Sequence, residues 1–399
     1  MNMLLLPFLV VLATDTGIQR LELDAASEAL GPHLVVDAAG DPLLSWLERG
    51  AGGHARLRFA RMREGAFGAP VTIAEGHDWF VNWADFPALG VLPNGDLVAH
   101  WLQKSGPGRY AYDVRVTRSG DGGRNWSAAL TPHRDGTPTE HGFVSHFAWD
   151  AERAGLVWLD GRETGGSHDH HGHGGPMTLR HAALDRDGTL SREALLDPRV
   201  CDCCQTGAAV TRTGPLVVYR GRDLDEVRDI MIVRWEGEGW SAPAPVHRDG
   251  WVMPACPVNG PQVVAQGDQV TVAWFTMADG HARVQLARSH DGGAHFDASS
   301  VVAAGDVLGR VGLAQAADGR AWLAWMDEAG GETRLLLAAF DADLAETGRS
   351  VVAILPRGRI SGFPRLAHSP REGLLLTWTE APEGRPGVAV ARVGARPAR

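Results

Sequence analysis

Seven segments of this chain share one pattern: a short strand, a tight turn rich in Gly, Asp or Asn, and a second strand that closes on an aromatic residue. They close on Trp46, Trp101, Trp158, Tyr219, Trp274, Trp325 and Trp378. The copies read HLVVDAAGDPLLSW, ALGVLPNGDLVAHW, SHFAWDAERAGLVW, GAAVTRTGPLVVY, PQVVAQGDQVTVAW, GLAQAADGRAWLAW and RLAHSPREGLLLTW. A period of roughly fifty to sixty residues belongs to a propeller or a solenoid. The segments are short and their apolar residues are β-branched or aromatic, which favours strands over helices. Two more strand-like stretches follow each hairpin, as HARLRFARM and FGAPVTI follow Trp46. Four strands per unit make a propeller blade. The expected fold is therefore an all-β propeller of four-stranded antiparallel blades, seven by repeat count with six as the fallback.

The last copy lacks a fourth strand, because only a polar tail follows GVAVARV. IQRLELDA, near the N-terminus, can supply it and close the ring, removing the sheet edges that invite aggregation. The first fifteen residues, MNMLLLPFLVVLATD, carry an apolar run ending in Val-Leu-Ala. That pattern predicts a signal peptide over residues 1–13 and an exported propeller domain over 14–399, although no Lys or Arg precedes the run. A formal net charge of -10 over 399 residues argues against nonspecific nucleic-acid binding. No apolar run is long enough to span a bilayer, and the protein is expected to act as a monomer.

Two segments, SGDGGRNW from Ser119 and SHDGGAHF from Ser289, fit Ser-x-Asp-x-Gly-x-x-aromatic. This resembles the Asp-box, or BNR repeat, of the sialidase (neuraminidase) superfamily. The Asp caps turn amides, the glycines allow positive φ, and Trp126 or Phe296 packs between sheets. In that family the boxes face away from the active site. The resemblance implies a glycoside hydrolase in which three arginines bind a carboxylate, a Tyr activated by a Glu is the nucleophile and an Asp is the acid/base. The chain departs from this pattern: it has seven units, no Arg-Ile-Pro near its start and three tyrosines, none late in the chain.

Successive turns of an up-and-down blade alternate between the two faces of the ring. The hairpin turns, such as AAGD, PNGD and QGD, share a face with the Asp-boxes. The opposite face collects HDWFVNWADFP, TEHGFVSH, DGRETGGSHDHHGHGG, CDCCQT, YRGRDLDEVRD, CPVNGP, LGR and RISGFPR. Function is expected there, around the mouth of the central channel.

All four cysteines, Cys201, Cys203, Cys204 and Cys256, fall on that face. Three readings stand: two disulfides with three possible pairings, a thiolate site for Cu or Zn, and free or redox-active thiols. His141 and His146 enter the third unit near the channel and are candidate ligands or bases, or packed histidines. The Gly-rich tract with His168, His170, His171 and His173 can collect a metal or be a solvated insertion.

Arginines from several units can converge on one anion, such as the carboxylate of an acidic sugar. The substrate-binding candidates are Arg162, Arg220, Arg222, Arg310 and Arg365, with Asn259 in CPVNGP; Arg228 and Arg359 fall in the same loops. Trp79, Trp83 and Trp251 can supply a stacking surface. Asp160, Glu226 and Asp229, together with Asp85, are candidate acid/base groups. Tyr219 occupies the aromatic position of its repeat, which favours a core role, while its neighbour Arg220 keeps a nucleophile role open. Two function classes follow: an exported sialidase-like propeller that hydrolyses or binds an acidic glycan, and a noncatalytic metal- or partner-binding propeller built on the cysteines.

Overall fold

The computed structural model describes residues 17–165, 174–381 and 384–394. Seven antiparallel sheets follow one another along the chain as blades 1 to 7, over residues 29–76, 88–130, 141–200, 207–245, 262–304, 307–355 and 365–393. The first strand of each blade borders the central channel and touches the first strands of the blades beside it, blade 7 meeting blade 1. Ile18–Arg20 pairs antiparallel with the last strand, Gly387–Val393, as its outermost neighbour. The N-terminal strand thus completes blade 7 as expected, and Arg20 adds a two-pronged contact to Glu380 at 3.1 and 2.6 Å.

An apolar cluster fills each seam between adjacent blades. The seven repeat aromatics explain this regularity. Each lies on the second strand of its blade and packs toward the preceding blade: Trp325 joins the cluster of blades 5 and 6, Trp46 that of blades 7 and 1. Trp46, Trp274, Trp325 and Trp378 are completely buried. Second strands are covered on both sides, which is why Gly373–Glu380 reads as a nearly continuous apolar run instead of alternating.

Blade 2 departs from the four-stranded pattern. It has three strands, and the outer position is reduced to a single bridge between Val116 and Leu130. Pro132 and Pro138 in the segment that follows lack the N–H a ladder needs.

The two Ser-x-Asp-x-Gly turns fold alike. Asp121 Oδ1 accepts the amides of Arg124 and Asn125 at 2.9 Å, and Asp291 Oδ1 accepts that of His295 at 2.9 Å. Trp126 then packs between blades 1 and 2, and Phe296 between blades 4 and 5. Gly123 has φ +93°, and a Cβ there would collide with the Phe59 ring. Gly123→Ala is expected to destabilise the protein by about 1–3 kcal/mol through strain and overpacking, read as a lower denaturant midpoint. An unchanged midpoint would show that the turn relaxes freely.

Candidate functional site

Five of the eight loops assigned to the mouth face meet in one pocket of about 330 Å³. Its walls include Trp83 and Asp85 from HDWFVNWADFP, Glu140 and Phe143 from TEHGFVSH, Asp202 and Cys203 from CDCCQT, Cys256 and Val258 from CPVNGP, and Arg359 from RISGFPR. Arg109, Tyr110 and Tyr112 complete it. Beneath lies the channel cavity, about 260 Å³, bordered by all seven first strands; Ala84, Asp85 and Phe143 line both spaces.

The chemical centre of the pocket is Tyr112. Its Oη lies 2.7 Å from Asp85 Oδ2 and 2.8 Å from Glu140 Oε1, and its ring stacks on Phe80 with centroids 4.0 Å apart. All three groups are buried. One phenolic hydrogen cannot serve two carboxylates, so one of them must hold a proton and donate to the oxygen. Burial pushes Asp85 up to about 7, opposed by its bonds from Tyr112 and the Phe143 amide. Burial also carries Glu140 well above the usual carboxylate range, and the nearby Asp85 charge adds to it. Burial thus raises both carboxyls of the pair, which favours one proton held between them. Burial and the two carboxylates hold the phenol of Tyr112 well above its ordinary value.

Backbone geometry fixes this trio. Phe143 sits at φ +53° where the pairing register of blade 3 shifts, and its amide donates to Asp85 Oδ1 at 2.8 Å. A bulge of this kind re-aims groups at a site. Gly142 leaves the space the carboxylate fills: a Cβ there would overlap Asp85 Oδ2. Gln205 ties the neighbouring loops together, donating to Ala84 O at 2.6 Å and accepting from Gly260 N at 3.1 Å.

Positive charge gathers at the rim. The guanidinium carbons of Arg310 and Arg359 lie 4.7 and 5.7 Å from the centroid of Trp83, which itself stacks on Phe363. Burial, with repulsion from Arg359, lowers Arg310 to about 10. Among the described residues no carboxylate lies within ion-pair distance of Arg109, Arg310 or Arg359.

The other predicted arginines are committed elsewhere. Arg162 grips Asp160, with Nε to Oδ1 and Nη2 to Oδ2 both at 2.7 Å. Arg222 pairs with Glu226 and Asp202 at 2.7 and 3.1 Å. Arg220 is buried and donates to the carbonyls of Asn259, Phe275 and Arg228 at 2.7 to 2.9 Å. These three hold loops in place instead of facing the pocket. Arg365 borders the channel, its guanidinium 5.0 Å from the Phe86 ring centroid, and burial lowers it to about 10.

The predicted acid/base groups, Asp85 apart, are structural partners as well. Burial would raise Asp160, but bonds from Arg162 and Trp158 bring it below its ordinary value. Glu226 is held by Arg222 and Arg228. Asp229 Oδ1 accepts the amides of Gly250 and Trp251 at 2.9 and 3.3 Å. Tyr219 fills the seam between blades 3 and 4, and its hydroxyl donates to Asp197 Oδ2 at 2.6 Å. Trp79 stacks on Trp101 with centroids 5.3 Å apart. Trp251 and Asn259 line a neighbouring cavity of about 670 Å³ that shares Cys256 with the mouth pocket. Asn259 also accepts the Arg310 amide at 2.7 Å through Oδ1.

The histidines do not join the cysteines. His141 stacks on His133 with centroids 3.7 Å apart, among Asp113, Asp135 and Asp160. His146 borders the channel, 3.1 Å from His100, and burial lowers it to about 4. His168, His170, His171 and His173 lie outside the described residues, as does the 1–13 segment.

None of the four cysteines is in a disulfide. Cys201 Sγ lies 3.3 Å from Cys204 Sγ and 4.0 Å from Cys203 Sγ, and Arg228 Nη1 donates to it at 3.0 Å. Burial opposes a charged Cys201, but the neighbouring thiols and Arg228 bring it well below the ordinary thiol range.

Sequence reasoning missed Tyr112, Glu140 and Arg109 as site residues. Only the segment of Glu140 is among the mouth loops, and nothing local marks a Tyr at the start of a strand as the partner of two distant carboxylates.

No family model and no curated protein matches the chain. Solved structures do. A protein of unknown function from Dyadobacter fermentans matches with a TM-score of 0.54 and 14% identity, over 94% of this chain and 98% of that one. A puromycin-hydrolysing peptidase from Mycobacterium tuberculosis matches at 0.50 and 12%, over 90% of this chain but only 51% of its own. The NanB sialidase of Streptococcus pneumoniae, as its K499G mutant, matches at 0.48 and 8% over 94% of each chain. At these identities the likeness is one of fold, and the chain is a seven-bladed β-propeller.

Proposed function

We propose that this protein is an exported, sialidase-like glycoside hydrolase that takes the terminal residue of an acidic glycan into the mouth pocket. The supporting observation is the contact of Tyr112 with both Asp85 and Glu140 beneath a rim of arginines without carboxylate partners. Arg359 and Arg109, with Arg310 behind Trp83, receive the sugar carboxylate, and Trp83, Phe80 and Tyr110 provide aromatic walls. A carboxylate placed among these guanidiniums gains charge-assisted hydrogen bonds and relieves their mutual repulsion.

In this reading Asp85 is the base and Glu140 the protonated partner of the phenol. Asp85 takes the Tyr112 proton as the phenolic oxygen bonds to the anomeric carbon, Glu140 keeps its hydrogen bond to that oxygen, and the departing glycosidic oxygen, on the opposite face of the ring, takes its proton from a water molecule. The hydroxide left by that water then bonds to the anomeric carbon. The Tyr112–sugar bond breaks and Asp85 returns the proton. Because the resting phenol is held neutral, its proton leaves only as the bond forms, the ordinary condition for general base catalysis. The sialidase resemblance implies a Glu as the base beside the Tyr; here that base is Asp85, and Glu140 holds the phenolic oxygen from its other side.

Arg359→Ala is expected to weaken binding of an acidic sugar by about ten- to a hundredfold, the worth of one charge-assisted hydrogen bond. Calorimetry with sialic and uronic acids, with chromogenic sialosides and uronides as substrates, checks it. Neither binding nor turnover with any of them would remove this function. Export adds a separate test: mature protein from the native host should begin at Thr14, after Ala13.

A further inference from the structure

Beyond the sugar pocket, we propose that Cys201, Cys203, Cys204 and Cys256 form a site for one thiophilic closed-shell cation, Cu(I) or Zn(II), that loads from the channel mouth. Ligand atoms of Cys201, Cys203 and Cys204 all lie within 4.8 Å of one another. Metal–sulfur bonds of about 2.3 Å in a tetrahedral site put sulfurs about 3.8 Å apart. The separations of 3.3 and 4.0 Å bracket that value, whereas a disulfide requires about 2.05 Å. Cys256, from another blade connection, reaches Cys203 and lines the same pocket; its sulfur lies outside the 4.8 Å cluster of the other three, so binding draws it in as the fourth ligand.

The surroundings are built for negative sulfur. Arg228, completely buried, gives Nη1 to Cys201 Sγ at 3.0 Å and Nη2 to Glu226 at 2.8 Å. Arg222 braces Glu226 from its other side and reaches Asp202, between the first two cysteines. The Cys201 amide is held by the Arg220 carbonyl at 3.0 Å. A guanidinium buried against a sulfur compensates a thiolate, and a disulfide would remove the charge it faces. Outer partners of this kind orient ligands and tune a metal.

Access is asymmetric. Cys201 and Cys204 are buried, while Cys203 and Cys256 are partly exposed. A structural metal is normally enclosed by its ligands, whereas here two of the four sulfurs meet a solvent-connected pocket. The ion can therefore enter and leave without unfolding the propeller, and soft sulfur ligands select Cu(I) or Zn(II) over harder ions.

The test uses the full-length protein, purified anaerobically with reductant and then freed of it. Cu(I) and Zn(II) are titrated separately against chromophoric chelators, with thiols counted by a disulfide reagent before and after loading. One equivalent of either ion bound, with all four thiols protected, is the expected result, and chelator should strip the ion without loss of the β-sheet circular dichroism. The double variant Cys203→Ser, Cys256→Ser should abolish binding, and Arg228→Gln should weaken it by about ten- to a hundredfold. No binding of either ion, or peptide mapping that finds Cys201 joined to Cys204 and Cys203 joined to Cys256 before any metal is added, overturns the site. The thiol count on unmodified protein keeps the test valid if a variant fails to fold.

Discussion

Asp85→Asn is expected to lower turnover of an acidic glycoside by about two to four powers of ten, the range for losing a positioned general base. The amide still fills the space beside Gly142 and can accept the Phe143 amide, so the pocket keeps its shape. What it loses is a site for the Tyr112 proton. The pH dependence gives a second, independent reading. Burial raises Asp85 to about 7, so its basic form accumulates as pH rises through that value. Turnover should climb through the same interval and then fall as Glu140, also raised, gives up its proton. A profile that falls through pH 7 would make Asp85 the acid and overturn the assignment; full activity in the Asn variant would remove Asp85 from the chemistry. Stability has the opposite sign. A carboxyl whose folded pKa is raised stabilises the protein fully below its unfolded value near 4, and that contribution is lost as pH climbs through about 7. The enzyme should therefore gain activity over an interval in which it loses some stability.

Arg220→Met should cost about 3–5 kcal/mol, since several buried carbonyls lose their donor at about 1–3 kcal/mol each. The guanidinium is 2% exposed, holds three carbonyls from three separate segments, and lies 4.9 Å from the Trp251 ring centroid. Methionine replaces the volume but none of the donors, leaving the carbonyls of Asn259, Phe275 and Arg228 without this partner. Denaturant unfolding should show a lower midpoint at an unchanged slope. Anion affinity measured below the transition should change little, because Arg220 does not line the mouth pocket. A large loss of affinity in a protein of undiminished stability would instead make Arg220 a ligand residue.

Arg220 and Arg359 show how far a sequence can be read. Both occur in loops assigned to the channel mouth, each beside a glycine-containing turn, and nothing local separates them. One is spent on backbone carbonyls and the other reaches the pocket, because different chain segments pass beside them. The acidic residues behave alike: Asp160 and Asp85 both sit in mouth loops, yet Asp160 is matched to Arg162 two positions away while Asp85 meets Tyr112 from 27 positions away. Short-range pairing is visible in a sequence, and the meeting of distant loops is not.

The architecture was legible for the converse reason. Each aromatic-ended hairpin repeats a local demand, a turn with the right φ and a second strand covered on both sides, and every seam between blades is filled in the same way. Such repetition determines the strands, the number of blades, the closure by Ile18–Arg20 and the face on which the unusual loops gather. Only the tertiary structure decided which charges on that face are compensated, which carboxylates share a proton and which sulfurs touch. Those outcomes depend on desolvation and on separations of a few ångströms between side chains from different blades, and the period of a repeat carries no information about either.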